Sequence, residues 1–235
     1  MPVMELLKSE KQCIDKILVG SGEHKGSILE IISMAKEKKI LIKYVSKQRL
    51  DQISFKENHQ NVIAITTIYE YGKIEDIFCL AQKRHQKPFI VILDGIEDPH
   101  NMGAIIRTVE VAGGHGVIIP KRRSVGVTPT VMKISAGAAK NLPIVRVSNL
   151  TNVIKELQNK GVWIYCLEAC GEPWIKFDYR ESIAVIIGSE GKGVSRLVKE
   201  TCDFVVSLPV KGKINSLNAS VAAGVFMFEV LRQRL

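Results

Sequence analysis

The sequence predicts a mixed α/β protein in two parts: a small α/β module, then a larger domain built on a mostly parallel sheet covered on both faces. Three features carry that prediction. β-like and helical patterns alternate along nearly the whole chain. Phe89 to Leu93 is an unbroken apolar run, as in a strand buried on both faces. The units also lengthen after Pro88, where a charged stretch gives way to longer strand–helix pairs.

In the first part, Ile17-Leu18-Val19 is a strand that ends at the turn cluster Gly20-Ser21-Gly22. Residues 27–38 set Ile28, Leu29, Ile32 and Ala35 at helical spacing with Lys and Glu opposite. A strand from Ile40 to Val45, a short helix from Lys47 to Ile53 and a strand from Asn61 to Thr67 complete the module. Residues 76–87, with Lys83-Arg84-His85-Gln86-Lys87, are expected as a linker between a domain of residues 1–75 and one of residues 88–235. The second domain is expected to hold strands at Phe89–Leu93, Gly116–Ile119, Ile144–Val147, Val162–Cys166, Ile183–Ile187 and Phe204–Val206. A helix is expected from about Asn101 to Ala112, and a last one from about Asn215 to Arg234, its basic end suited to the helix dipole.

The chain has 235 residues, 46% of them hydrophobic and 24% charged, which is the balance of a folded protein rather than a disordered one. A net charge of +9 favours a polyanionic partner, most simply nucleic acid. Five cysteines without a CxxC pair, and histidines without ligand spacing, argue for free thiols and no metal centre. The opening MPVMELLKSEK lacks the apolar core of a signal peptide, and no apolar run reaches membrane-spanning length, so a cytoplasmic protein is expected.

Three glycine-rich or polar loops follow strand ends, where α/β folds bind ligands. They are Asp94 to Gly103, Gly188 to Gly193, and Leu208 to Ser220. Gly188 and Gly193 have Walker A spacing, but Val194 stands where the lysine must be. Gly191-Lys192-Gly193 opens like a dinucleotide fingerprint, yet Arg196 occupies its third glycine position. No GxSxG nucleophile elbow is present.

Taken together the loops read D-x-x-x-x-P-x-N-x-G-A-x-x-R, G-S-E-G-x-G and S-L-N-A-S before a final helix. In that order they resemble the three motifs of the SpoU (TrmH) branch of the SPOUT RNA 2′-O-ribose methyltransferases, and with their spacing they cover essentially all of residues 88–235. The N-terminal module is similar to the substrate-binding domain of RlmB-type members, itself like small ribosomal RNA-binding proteins, through Asp15 to Val19, Ile40 to Val45 and His59 to Ala64. The opening turn of that domain is poorly represented in Met1 to Leu7.

The resemblance implies a deep trefoil knot in the catalytic domain, a homodimer, and S-adenosyl-L-methionine held by Gly188, Leu208 and Leu217. It implies Asn101, Arg107, Glu190, Ser216 and Asn218 as catalytic residues and a guanosine of large-subunit (23S-type) ribosomal RNA as the methylated nucleoside. A transfer RNA guanosine is the alternative, and a non-catalytic RNA-binding ribosome-assembly protein the rival from another class. The residue chemistry fits: glycine lets the backbone approach an adenine, and leucines form an apolar slot. A guanidinium scarcely deprotonates, so Arg107 is expected to engage the substrate phosphate and stabilise developing alkoxide rather than act as base. Its position six residues after Asn101 is taken to let both face one loop, with a surface pair to Glu110 as the bland alternative. Glu190 is expected to order Arg107 or Asn101, while Asn101, Ser216 and Asn218 also suit helix starts. RNA contacts are expected at Lys83, Arg84, Lys121, Arg122 and Arg123, with Lys211 and Lys213, near the catalytic loops. Lys36, Lys38, Lys39 and Lys43 form a second basic group in the small domain.

Overall fold

The computed structural model describes residues 2–8, 13–22, 24, 26–38, 40–54, 58–67, 69–212 and 216–235. They form two compact units, Met1–Tyr69 and Glu70–Leu235.

In the first unit, helix α1 (Pro2–Lys8) precedes strand β1 (Cys13–Gly20), helix α2 (Ser27–Glu37), strand β2 (Leu41–Val45), helix α3 (Lys47–Ile53) and strand β3 (Val62–Thr67). β1 is central, parallel to β2 and antiparallel to β3. Ile17 and Val19 alternate toward one face, where they pack with Leu7, Ile31 and Ala35 from the helices. In the region that weakly matches the expected opening turn, α1 buries Val3 and Leu7. Ser46 caps α3 by accepting from the Arg49 amide, which is why the chain turns helical directly after β2.

The second unit begins with helix α4 (Ile74–Lys83), which corrects the expected linker over residues 76–87. Its charged residues are one face of an amphipathic helix, and Ile77 and Ala81 on the other face are buried. Strand β4 (Phe89–Asp94), helix α5 (Pro99–Val111), strand β5 (Gly116–Pro120), short helices α6 (Pro129–Ile134) and α7 (Ala138–Asn141), and strand β6 (Ile144–Val147) follow. Helix α8 (Leu150–Asn159), strands β7 (Trp163–Pro173) and β8 (Ile183–Gly188), helix α9 (Arg196–Thr201), strand β9 (Phe204–Ser207) and helix α10 (Ala219–Arg234) complete it.

Six parallel strands lie in the order β6-β5-β4-β8-β7-β9. β4 and β8 are central and fully buried over Phe89–Leu93 and Ile183–Ile187, the outcome expected of unbroken apolar runs. The strand order reverses between β4 and β8, so the loops after these two strands diverge and leave a crevice at their carboxyl ends. Two boundaries of the second unit differ most from expectation. β7 runs on to Pro173, because a register shift between Leu167 and Glu172 lets it keep pairing with β9. α10 starts at Ala219 because Asn218 is its cap; Asn215, the expected start, lies outside the described residues.

Candidate active site

The site is assembled at the carboxyl ends of β4, β7, β8 and β9. Asp98 caps α5, its Oδ2 accepting from the Asn101 amide at 3.0 Å, with Pro99 in the first turn. Asn101 is therefore not the cap, and its buried side chain is free to reach across the crevice. Its Nδ2 donates to Glu190 Oε1 at 2.9 Å. Asn218 Nδ2 donates to the same carboxylate oxygen at 2.5 Å and to Asn101 Oδ1 at 3.0 Å. Asn218 Oδ1 meanwhile accepts from the amides of Ser220 and Val221, so one side chain caps α10 and closes the network. Three residues from three separate motifs thus share one set of hydrogen bonds, with a carboxylate strengthening each bond it accepts.

Glu190 is aimed by its loop. Ser189 and Gly193 exchange reciprocal backbone hydrogen bonds of 3.1 and 2.9 Å, pinching residues 190–192 into a tight turn. Gly191 and Gly193 adopt φ of 83° and 65°, the left-handed region that glycine occupies without cost. At Gly188 a Cβ would stand 2.2 Å from the Gly193 carbonyl carbon, so only glycine lets this turn fold back on the strand end.

Beside the turn lies a cavity of about 530 Å³ lined by Leu167, Ile187, Gly188, Leu208, Val210 and Leu217, with Glu168, Ser189, Glu190, Ser216 and Asn218 among its polar atoms. Gly188, Leu208 and Leu217, expected to hold the cofactor, therefore come together, and Ser216, Glu190 and Asn218 border the same space. A mostly apolar slot with backbone donors and acceptors along one wall is what a purine with a charged tail requires.

Two sets of expected residues stand elsewhere. Arg107 does not line the cavity. On a helix turning about 100° per residue, six positions leave it roughly a third of a turn away from Asn101, on the exposed flank of α5. Among the described residues it makes no hydrogen bond or ion pair, to Glu110 or to Glu190. Lys83 and Arg84 are at the far end of the sheet, because the end of α4 lies beside Gly114, just before the amino terminus of β5. Arg84 donates there to the Gly114 carbonyl at 3.2 Å. Lys121, Arg122 and Arg123, by contrast, follow β5 at the cavity's end of the sheet and are exposed. Lys211 is exposed beyond β9, and Lys213 lies outside the described residues. In the small unit Lys36 and Lys43 are exposed, the Lys38 ammonium donates to the Leu7 carbonyl, and Lys39 lies outside the described residues.

Two acids anchor the glycine turn, one from the first motif and one without any sequence signal. Asp94 Oδ2 accepts from the Ser195 amide at 2.7 Å, and Glu168 Oε1 accepts from the Val194 amide at 2.7 Å. Asp94 opens the first motif, whereas Glu168 belongs to none, and only the fold brings it to the glycine turn.

Residues 88–228 match the model of the SpoU rRNA Methylase family. The chain belongs to that family. Residues 1–72 match a second model, described as RNA 2′-O ribose methyltransferase substrate binding. A Bacillus subtilis protein named as a TrmH family tRNA/rRNA methyltransferase, YacO, is 44% identical over 233 residues, covering 99% of this chain and 93% of that one. The crystal structure of the SpoU methyltransferase AviRb from Streptomyces viridochromogenes, in complex with AdoMet, shares the fold with a TM-score of 0.64 at 22% identity, over 99% of this chain and 88% of that one. A TrmH/SpoU tRNA modifying enzyme of A. aeolicus is 29% identical with a TM-score of 0.58, covering 63% of this chain and 76% of that one. SpoU methyltransferases use S-adenosylmethionine, and this SpoU-family chain is an S-adenosylmethionine-dependent RNA methyltransferase with the mixed α/β, mostly parallel fold of the SPOUT enzymes.

Proposed function

We propose that this SpoU-family protein methylates the ribose 2′-hydroxyl of a guanosine in large-subunit ribosomal RNA, with the small unit as the RNA-binding module and the larger one as the catalytic domain. The observation that carries the reading is the Asn101–Glu190–Asn218 network at the rim of an apolar cavity lined by Gly188, Leu208 and Leu217. A pure RNA binder has no use for such a network. The match of residues 1–72 to a ribose methyltransferase substrate-binding module supports the 2′-hydroxyl, and the match of residues 88–228 to an rRNA methylase family supports a ribosomal substrate.

Gly188, Leu208 and Leu217 would hold S-adenosylmethionine, which when bound supplies an electrophilic methyl group on a sulfonium. Glu190 takes hydrogen bonds from both asparagines, so the rim keeps one geometry and the ribose enters an ordered site. Asn101 and Asn218 hold the Glu190 carboxylate at the rim, and Ser216 presents its hydroxyl to the ribose. Arg107 retains its proton and engages the RNA phosphate, stabilising negative charge as it develops on the 2′-oxygen. Lys121, Arg122 and Arg123 extend the same positive field along the RNA backbone.

The chain functions as a homodimer in this reading. Val221, Val225 and Phe228 form an exposed stripe on α10, joined by exposed Val111 on the neighbouring helix α5. Arg107 is one turn from Val111, so it sits at the edge of that stripe. A knotted C-terminal half is supported by the path of the chain, which leaves the central strand β8, forms edge strand β9 and returns as α10 to pack on α5 and β8. The expected setting is the cytoplasm; among the described residues no helix is long and apolar enough to cross a membrane.

The test is transfer of labelled methyl from S-adenosylmethionine to ribosomal and transfer RNA from a strain lacking the gene. Label as 2′-O-methylguanosine in large-subunit RNA, absent with Arg107→Ala, is the expected result. Label in transfer RNA overturns the substrate, and label in neither overturns the enzyme reading.

A further inference from the structure

Glu168 stands on β7 next to the cavity but belongs to none of the three motifs. Its carboxylate is largely enclosed, with 17% of the side chain exposed. Oε1 accepts from the Val194 amide at 2.7 Å, and a Cβ on the adjoining Gly193 would come within 2.7 Å of the same oxygen. Asp94, at the end of β4, accepts from the next amide, that of Ser195. β4 and β7 flank β8 on opposite sides. Two carboxylates from the flanking strands therefore grip consecutive amides just beyond the turn that β8 leads into. Within that turn Gly193 is tied back to Ser189 by reciprocal hydrogen bonds, and Glu190 lies between them. Displacing Val194 displaces Gly193, the wall of the cavity and the base of Glu190 together.

The plainer explanation is an ion pair with Lys199. Those atoms are 3.7 Å apart with Lys199 partly exposed, a loose surface pairing of little consequence. The hydrogen bond to the amide is shorter and better enclosed.

We propose that Glu168 is a positioning residue for the methyl donor: it fixes the glycine turn as a hydrogen-bond acceptor, and its charge is incidental. The inference rests on reading the cavity as the methyl-donor site. It predicts an unusual ranking of variants. Glu168→Gln keeps an acceptor at the same reach and should bind like the unaltered protein. Glu168→Asp keeps the charge but is one methylene short, and should fail like Glu168→Ala.

The experiment is calorimetric binding of S-adenosylhomocysteine to the full chain, paired with hydrogen exchange at the Val194 amide. Without the hydrogen bond, binding is expected to weaken about tenfold in the Asp and Ala variants. Val194 exchange should quicken in both, while the β8 amides keep their protection. Binding that follows charge instead, with Asp intact and Gln impaired, overturns the proposal, as does equal binding by all variants. Should Glu168→Ala not fold, the Gln and Asp variants alone give the ranking. No binding of S-adenosylhomocysteine by the unaltered protein overturns the cavity reading itself, an outcome distinct from any order among the variants.

Discussion

Asn218 donates through its side-chain amide to Asn101 Oδ1 at 3.0 Å, joining the start of α10 to the first turn of α5 across 117 residues of chain. Asn218 has two jobs that can be separated by substitution. Asn218→Ala removes both cap and network. The cap is worth about 1 kcal/mol, which for a chain of this size lowers Tm by roughly 2–4 °C. Asn218→Ser keeps a capping oxygen but cannot bridge Asn101 and Glu190. The serine variant should therefore melt like the unaltered protein while turnover falls about 100-fold, the scale of removing one preorganised donor. Equal turnover in the serine variant and the unaltered chain would remove the network from catalysis.

Gly188→Ala tests the closeness of the turn. The new Cβ meets backbone atoms of Gly193 and Val194 at 2.2 and 2.3 Å, and backbone cannot swing aside as a side chain can. The glycine turn has to move outward, away from the cavity it walls. Calorimetry should find S-adenosylhomocysteine binding abolished, with circular dichroism showing the helices retained. Retained binding would mean that the turn is not a wall of the ligand site.

These two positions also show what a sequence makes legible. The apolar runs of β4 and β8 announce a buried parallel sheet, since a strand covered on both faces has no polar side to alternate with. Asn101, Glu190 and Asn218 are legible because each lies in a short pattern of residues with chemistry at a strand end. Glu168 is not, since its partner is a backbone amide and any residue type supplies one. The position of Arg107 is misjudged from spacing alone: six residues seem near in sequence, yet the helical rotation carries it to the flank. Residues 76–87 mislead by composition, because the charges of an amphipathic helix look like those of a linker when its buried Ile77 and Ala81 are so few.

Arg107 is exposed and unpaired among the described residues, so its removal should cost stability little, within about 0.5 kcal/mol. Methyl transfer, by contrast, should be abolished by Arg107→Ala, with binding of S-adenosylhomocysteine unchanged because the residue does not line the cavity. Weakened ligand binding in this variant would contradict that separation.

The basic residues at opposite ends of the sheet give a controlled comparison. Replacing Arg122 and Arg123 by Ala should reduce the salt dependence of RNA binding, by roughly 0.7 in logarithmic slope for each RNA phosphate that is no longer neutralised. Lys83→Ala, at the amino ends of the strands, should leave the slope unchanged. If the Lys83 variant shifts the slope and the arginine pair does not, the RNA path runs along the other end of the domain.

His115 gives the fold a dependence on pH unrelated to catalysis. It is fully buried, accepts at Nδ1 from the Phe89 amide at 3.0 Å, and pairs through Nε2 with Gln86 at 3.1 Å. Burial first, and then the nearby Arg84 and Arg234 cations, push its pKa from the ordinary 6.5 down to about 4. The unfolded chain then binds a proton near pH 6.5 that the folded chain refuses until about pH 4. Stability is therefore fully present above pH 6.5, declines as pH falls through that window, and flattens below about 4. The whole effect is about 3 kcal/mol. Other acids titrate at the lower end, so the quantity to measure is the difference between two urea-unfolding profiles, one of the unaltered chain and one of His115→Gln. That difference should shrink steadily as the pH is lowered, because the variant has no imidazole to protonate on unfolding. Parallel profiles across the window would show that His115 takes up its proton in the folded protein as readily as in the unfolded chain.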